Sequence, residues 1–400
     1  MALGLGPSWR VTDVRFEGDP KELHLFLDFD RGTKFPCPHC AVDRNAYDTN
    51  SRVWRHLNFF QHKTYLHADL PRIDCPSCGV KVIDVPWARE RSGFTLLFEA
   101  MLLVLAKQMP VAAVGRFVGE YDTRIWRVLE HYVELARLDR DMCEVERIGI
   151  DETSHKSGHQ YVTVFADLDT SSVLFVTDGK GAETVSAFRE DFIDHAGQPA
   201  DVNTVCMDLS PAFQSGVSIA LPNAKMIFDR FHVVKLANEA VDAIRRAEVK
   251  TNDILKQTRY LWLSGPVRLS KMSQKHQEKL SVMQGLNLAT AQAYQMKLNL
   301  LELWTLPDRE AATAHLESWY AFVEDSSGVG APLQKLAKTI KSHQEGILNF
   351  FPNRLTSGLM EGINSLIQAA KSKARGYRTT RYMKIAIYLI AGKLQFNLPT

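Results

Sequence analysis

The sequence predicts a mixed α/β sheet domain that carries a long helical insertion and follows a cysteine-knuckle domain and a helical pair. Three observations lead there: two buried β-rich runs around Asp151, two matched Cys-x-x-Cys pairs, and a nearly unbroken helical pattern from Phe231 to about Asn349. The β-rich runs are Glu146–Glu152 and Tyr161–Asp169, bounded by Gly158 and by the polar Asp169-Thr-Ser-Ser172. Apolar and β-branched residues in consecutive positions fit strands covered on both faces better than an amphipathic helix. Asp151 is expected at the end of the first strand. A carboxylate held on a rigid buried element is costly to desolvate unless a cation or base meets it, while a turn-capping Asp is an equal alternative.

Ahead of the sheet, Cys37-Pro-His-Cys40 and Cys75-Pro-Ser-Cys78 are the arithmetic of one tetrahedral, closed Zn²⁺ site rather than of a disulfide framework. Arg52–His56 and His62–His67, between the knuckles, mix bases with aromatics in a way that suits phosphate contact or a solvated strand equally. From residue 89 the pattern is helical. Leu96, Leu97, Met101 and Leu105, then Val111, Val114, Phe117 and Val118, recur at three- and four-residue steps, with Pro110 between them. A break at Gly119–Asp122, with Asp122 as N-cap, precedes a second helix that opens with Arg124 and Arg127: the outline of a helix-turn-helix with those two arginines as DNA contacts, or else of a plain linker bundle.

After the meander strands come a third strand at Val173–Thr177, a helix at Gly181–His195, a fourth strand at Thr204–Asp208 and a fifth at Lys225–Asp229. In such a sheet Asp151 and Asp208 end neighbouring strands, where ligands gather. The helical stretch follows, and Trp262, Trp304 and Trp319 within it read as buried core more readily than as base-stacking platforms. If Arg354–Lys371 is a helix, Leu359, Ile363, Leu366, Ile367 and Ala370 form its buried stripe, and Glu361, Asn364, Gln368 and Lys371 share the other side. The domains are therefore expected at 1–88 (zinc ribbon), 89–142 (helix-turn-helix), 143–230 (sheet domain, first part), 231–349 (helical insertion) and 350–400 (sheet domain, last part, with the Glu361 helix and a basic tail).

Net charge is only +2, but from Gly362 to Thr400 there are seven Lys/Arg and no acid, a distribution suited to a polyanion. Lys371, Lys373, Arg375, Arg378 and Arg381 are the expected DNA-backbone contacts, interleaved with Tyr377 and Tyr382. Lys156 and His159 are weighed equally as phosphate contacts and as plain turn residues. No secretory leader is expected at the N-terminus. The longest apolar run, Phe94–Ala106, holds Glu99 and is too short for a bilayer, so no membrane partner is expected. Cysteine usage points to a reducing cytoplasm.

The paired knuckles, Ile150-Asp-Glu-Thr-Ser-His-Lys-Ser-Gly-His-Gln-Tyr161, Met207-Asp208, Asp229-Arg-Phe-His-Val-Val-Lys235, Glu361-Gly-Ile-Asn364 and Gly376-Tyr-Arg378 together resemble the bacterial insertion-sequence transposases of the ISL-three family. The resemblance covers nearly the whole chain. It implies a ribonuclease-H-like catalytic fold with a DDE triad matched by Asp151, Asp208 and Glu361, which would hold two Mg²⁺ or Mn²⁺ ions. Asp229 and His232 resemble an accessory pair of related transposases. The family often has Asn-Gly ahead of the Glu, where this chain has Ser357-Gly358. The implied activity is cleavage of double-stranded DNA at terminal inverted repeats by water and strand transfer into target DNA by the freed 3′-hydroxyl. A homodimer or larger assembly on DNA is expected, in the bacterial cytoplasm and on the nucleoid when bound. Two rivals are a zinc-ribbon and helix-turn-helix regulator without catalysis, and a nuclease that cuts without joining. Glu152, Asp167 and Asp169 are the nearest competing carboxylates, and strand alternation is expected to turn Glu152 away from Asp151.

Overall fold

The computed structural model describes residues 3–156, 160–326, 330–354 and 358–398. Two compact units emerge, Met1–Asp139 with Leu394–Thr400, and Arg140–Lys393. In the first, strands β1 (Trp9–Glu17), β2 (Glu22–Phe29), β3 (Lys34–Pro36), β4 (Asp43–Phe59), β5 (His62–Cys75) and β6 (Gly79–Val82) form one sheet in the order β1-β2-β5-β4-β3, with β6 on β5. Alternation along β2 turns Leu23, Leu25 and Leu27 inward, where they meet Leu66, Ala68 and Leu70 of β5. Trp9 and Trp54 each pack edge-on against Trp87 in the same core.

Three helices complete this unit: α1 (Leu96–Gln108), α2 (Val111–Val118) and α3 (Asp122–Leu138). Thr95 caps α1 by accepting the Phe98 amide, Pro110 stands at the start of α2, and Gly119 ends α2 in the left-handed region at φ 73°. Tyr121 rather than Asp122 is the N-cap of α3, and Asp122 is its first residue. The buried side of α1 is Phe98, Leu102, Leu103 and Ala106, not the expected Leu96, Leu97, Met101 and Leu105. That helix is apolar nearly all round, so its period could not choose a face. Phe117, assigned to the α2 stripe, is 70% exposed.

In the second unit β7 (Arg147–Lys156), β8 (Gln160–Asp167), β9 (Ser172–Asp178), β10 (Thr204–Met207) and β11 (Lys225–Phe228) make a sheet ordered β11-β10-β7-β8-β9. Strands β7 to β9 form the antiparallel meander, and β10 runs parallel to both β7 and β11. Helices α4 (Ala182–Asp194) and α5 (Pro211–Ala220) provide the crossovers. Beyond β11 the chain is helical: α6 (Arg230–Glu248), α7 (Arg259–Trp262), α8 (Pro266–Leu269), α9 (Gln274–Gln284), α10 (Ala289–Glu302), α11 (Arg309–Asp325), α12 (Gly330–Ser342), α13 (Gln344–Leu348) and α14 (Phe350–Asn353). It then returns to the sheet through α15 (Gly358–Lys373) and α16 (Thr380–Ala391). The helical region shares one continuous core with the sheet, running from Phe165 and Val205 through Val233 and Ala237 of α6 to Trp262, Tyr294 and Trp319. Trp262, Trp304 and Trp319 are all buried, the first and last with their indole N–H bonded to Thr258 Oγ1 and the Met296 carbonyl. They are core residues in this state. No helix among the described residues is long and apolar enough to cross a membrane.

Candidate active site

The register of the parallel strands builds the site. Thr204, Val205 and Cys206 of β10 stand opposite Arg147, Ile148 and Gly149 of β7, and Met207 stands opposite Phe228 of β11. Continued along the chain, the same register aligns Asp151, Asp208 and Asp229 in one row at the carboxyl edge of three adjacent strands, where open sheets collect ligands. Asp151 does not end its strand as expected: β7 runs on to Lys156 because its hairpin with β8 continues. What stops at Gly149 is the pairing with β10, so Asp151 sits where one side of β7 loses its neighbour.

Each member of the row is held by local backbone. Asp151 Oδ1 accepts the Glu152 amide at 2.7 Å, Asp208 Oδ1 the Ser210 amide at 2.9 Å, and Asp229 Oδ1 the Phe231 amide at 2.8 Å as N-cap of α6. His232, one turn into α6, brings Nδ1 to 3.3 Å from Asp229 Oδ2. Burial pushes the Asp151 carboxyl up to about 6, against the Glu152 amide and the His232 charge, and Asp208 and Asp229 push it further the same way. Hydrogen bonding to Asp229 raises the His232 imidazole above its ordinary value. Glu152 is not turned out of this field. Burial first, then Asp208, raises its carboxyl, while Lys180, His232 and Lys235 oppose the shift.

Helix α15 lies along β7. Asn364 donates Nδ2–H to Asp151 Oδ2, Gln368 Nε2 to Thr153 Oγ1 at 2.6 Å, and Lys371 Nζ to the Ser154 carbonyl at 2.5 Å. The polar side expected for this helix is thus its strand-facing side. Its buried apolar residues are Met360, Ile363 and Ile367, whereas Leu359 and Leu366 are 40% and 55% exposed. Glu361 is exposed and lies one turn before Asn364. Among the described residues, the carboxylates of Asp151, Asp208 and Glu361 do not approach within 4.8 Å of one another as a set. Ser357 and His159 lie outside the described residues.

Of the basic residues, Arg127, Lys373, Arg375, Arg378 and Arg381 are exposed, and Lys371 is half-buried on Ser154. Arg124 pairs with Glu120 at 2.5 Å and lies over the Phe94 ring, 4.2 Å from its centroid. Arg55 and His56 are buried, which removes them as phosphate contacts. Lys156 binds the Arg378 carbonyl at 3.0 Å and His155 the Tyr377 carbonyl at 3.0 Å, pinning the β7–β8 hairpin to the segment between α15 and α16. Asp167 accepts the Asp169 amide at 2.8 Å and Asp169 pairs with Arg147, so both competing carboxylates are spent on the turn after β8.

In the first unit the sulfurs of Cys37, Cys40, Cys75 and Cys78 all lie within 4.8 Å of one another, with Cys40 and Cys75 3.6 Å apart. Zn–S bonds of about 2.3 Å give a tetrahedron with edges of about 3.8 Å, so the four thiols fit one zinc ion.

Residues 148–387 match the family model described as transposase, of the ISL3 type, and residues 83–133 match the helix-turn-helix domain of transposase family ISL3. The chain belongs to the ISL3 family of transposases. Residues 33–78 also match the zinc finger of the IS204, IS1001, IS1096 and IS1165 transposases. The chain is 28% identical over 412 residues to the transposase for insertion sequence element IS1001 of Bordetella parapertussis, covering 96% of each protein. It is 28% identical over 430 residues to the transposase for element IS1557 of Mycobacterium tuberculosis, covering 98% of this chain and 94% of the relative. This transposase is therefore a DNA-processing enzyme with a helix-turn-helix DNA-binding domain and a four-cysteine zinc ribbon.

Proposed function

We propose that this ISL3 transposase binds the terminal inverted repeats of its element, cleaves at the transposon ends with water, and joins the freed 3′-hydroxyl to target DNA. The observation that carries the reading is the row Asp151, Asp208, Asp229 at the edge of the parallel strands, with α15 bonded along β7 beside it. In this reading Asp151, Asp208 and Glu361 hold two Mg²⁺ or Mn²⁺ ions. The donor set fits: all are hard oxygen ligands, and a cation would favour the charged form of Asp151 that burial disfavours. When bound, such a pair supplies charge stabilisation to the entering and leaving oxygens of an in-line displacement.

The chain's own side chains fix the rest. The backbone amides on Asp151 and Asp208 orient one oxygen of each carboxylate, and Asn364 holds the second oxygen of Asp151. His232, paired with Asp229, offsets part of the row's negative charge. One phosphodiester bond breaks as each new one forms, so no covalent protein intermediate is needed. Arg127 on α3 and the basic run of Lys371, Lys373, Arg375, Arg378 and Arg381 carry DNA contacts, with Arg124 bracing the turn before α3 through Glu120. One zinc ion on Cys37, Cys40, Cys75 and Cys78 is structural. Bringing two ends together calls for a dimer or larger assembly, acting on DNA in the bacterial cytoplasm.

The test is cleavage and joining of a labelled duplex bearing the element's own ends with Mg²⁺ or Mn²⁺. Residues that merely support a ligand account for about 10- to 100-fold, so Glu361→Gln is expected to lose roughly 100-fold or more in both steps while retaining end binding. End binding without cutting in either protein would sink the reading.

A further inference from the structure

We propose that Asn364 is both a positioning residue for Asp151 and an additional oxygen donor to the cation held there. The inference rests on the reading of Asp151 as a cation-holding carboxylate.

Both oxygens of Asp151 are engaged, Oδ1 by the Glu152 amide and Oδ2 by Asn364 Nδ2–H, so its carboxylate plane is fixed from two sides. The orientation of the Asn364 amide follows from this contact, because the flipped group would set its oxygen against a carboxylate oxygen. With nitrogen on Asp151, Asn364 Oδ1 is left shut off from solvent, with less than 1 Å² exposed, and with no hydrogen-bond partner. A buried amide oxygen without a donor, one amide width from a half-buried carboxylate, is placed to receive positive charge. Mg²⁺ and Mn²⁺ accept amide carbonyl oxygens alongside carboxylates.

Packing alone does not require this amide. Helix α15 is already registered on β7 by Gln368 on Thr153 and Lys371 on the Ser154 carbonyl. Met360 fixes the other end of the contact, lying where a Cβ on Gly149 would come within 2.4 Å of its sulfur. Asparagine is also a poor residue for a helix interior. Its place between two sufficient pins is explained by what it does for Asp151.

The test is direct Mn²⁺ binding to the full-length, zinc-loaded chain by titration calorimetry, with no DNA present. Asn364→Ala is expected to weaken Mn²⁺ at the site by about tenfold or more. Asn364→Asp, which keeps an oxygen at the same place, is expected to bind within roughly threefold of wild type or more tightly. Asp151→Asn is the control and is expected to lose the site. Wild-type affinity in Asn364→Ala alongside loss in Asp151→Asn would overturn the role of Asn364 and leave the metal site standing. Wild-type affinity in Asp151→Asn would overturn the site itself. Should Asn364→Ala fail to fold, Asn364→Asp decides alone: binding as weak as in Asp151→Asn refutes the donor role.

Discussion

His56 shows how far a single residue's environment departs from what its neighbours in sequence suggest. Among aromatics and bases it reads as a phosphate contact, yet it is 5% exposed and its Nδ1 lies 2.9 Å from Thr95 Oγ1, the hydroxyl that also caps α1. Thr95 Oγ1 thus accepts from the Phe98 amide while sharing a hydrogen bond with the His56 ring. Burial, with the Arg55 charge beside it, lowers His56 to about 4 from an ordinary 6.5. Between those values the unfolded chain binds a proton that the native chain refuses, so stability falls as pH drops through the window. From pH 7 to pH 5 this amounts to about 2 kcal/mol, and His56→Gln, which can still accept from Thr95, should lose that much less in urea melts at the two pH values. Equal losses in both proteins would contradict this account of the residue. The candidate site was more legible at this scale: Asp151, Asp208 and Asp229 follow apolar runs, and the family resemblance adds His232. Asn364 and Glu152 were not legible, because their significance lies in partners supplied by other elements.

For the elements, the sequence indicated existence and order well and orientation poorly. Five strands and the helical return were readable from runs and periods. The face of α15 was not, since this helix turns polar side chains that periodicity assigns to solvent into hydrogen bonds with β7. Two glycines make the difference between local pattern and context measurable. Within α2, a Cβ on Gly115 would stand 2.7 Å from the backbone oxygen of Glu120 in the following turn, whose amide is itself bonded to the Gly115 carbonyl at 2.9 Å. Gly115→Ala is therefore expected to destabilise the first unit by about 1–3 kcal/mol, read as a lower melting temperature. On α15 a Cβ at Gly362 would meet nothing within 4 Å. There the same substitution should stabilise by roughly 0.5–1 kcal/mol through helix propensity. Opposite signs are the expected result, and a loss in both would show that something closes over Gly362.

Across the whole molecule, two units with separate cores imply two thermal events. Cys37 and Cys75 are buried in the core of the first, so stripping the zinc with a strong chelator removes a tie between the end of β5 and the β3–β4 connection. Calorimetry should show one transition shifted down by chelator and restored by zinc, while the transition of Arg140–Lys393 stays in place. A joint shift would mean that the units melt as one. The plan of the second unit follows from chain order, which the sequence shows plainly; the depth to which the helical region fuses with the sheet does not, because one shared core is a property of packing alone. Chain order also has a meaning in time. During synthesis the row Asp151, Asp208, Asp229 leaves the ribosome well before α15, with all the helices α6 to α14 between them. On the proposed reading, a nascent or prematurely terminated chain can carry the zinc ribbon and the helix-turn-helix without the last carboxylate. Such a product would occupy the element's ends without cutting them, so every stop codon within the helical region would turn the enzyme's gene into a source of its competitor.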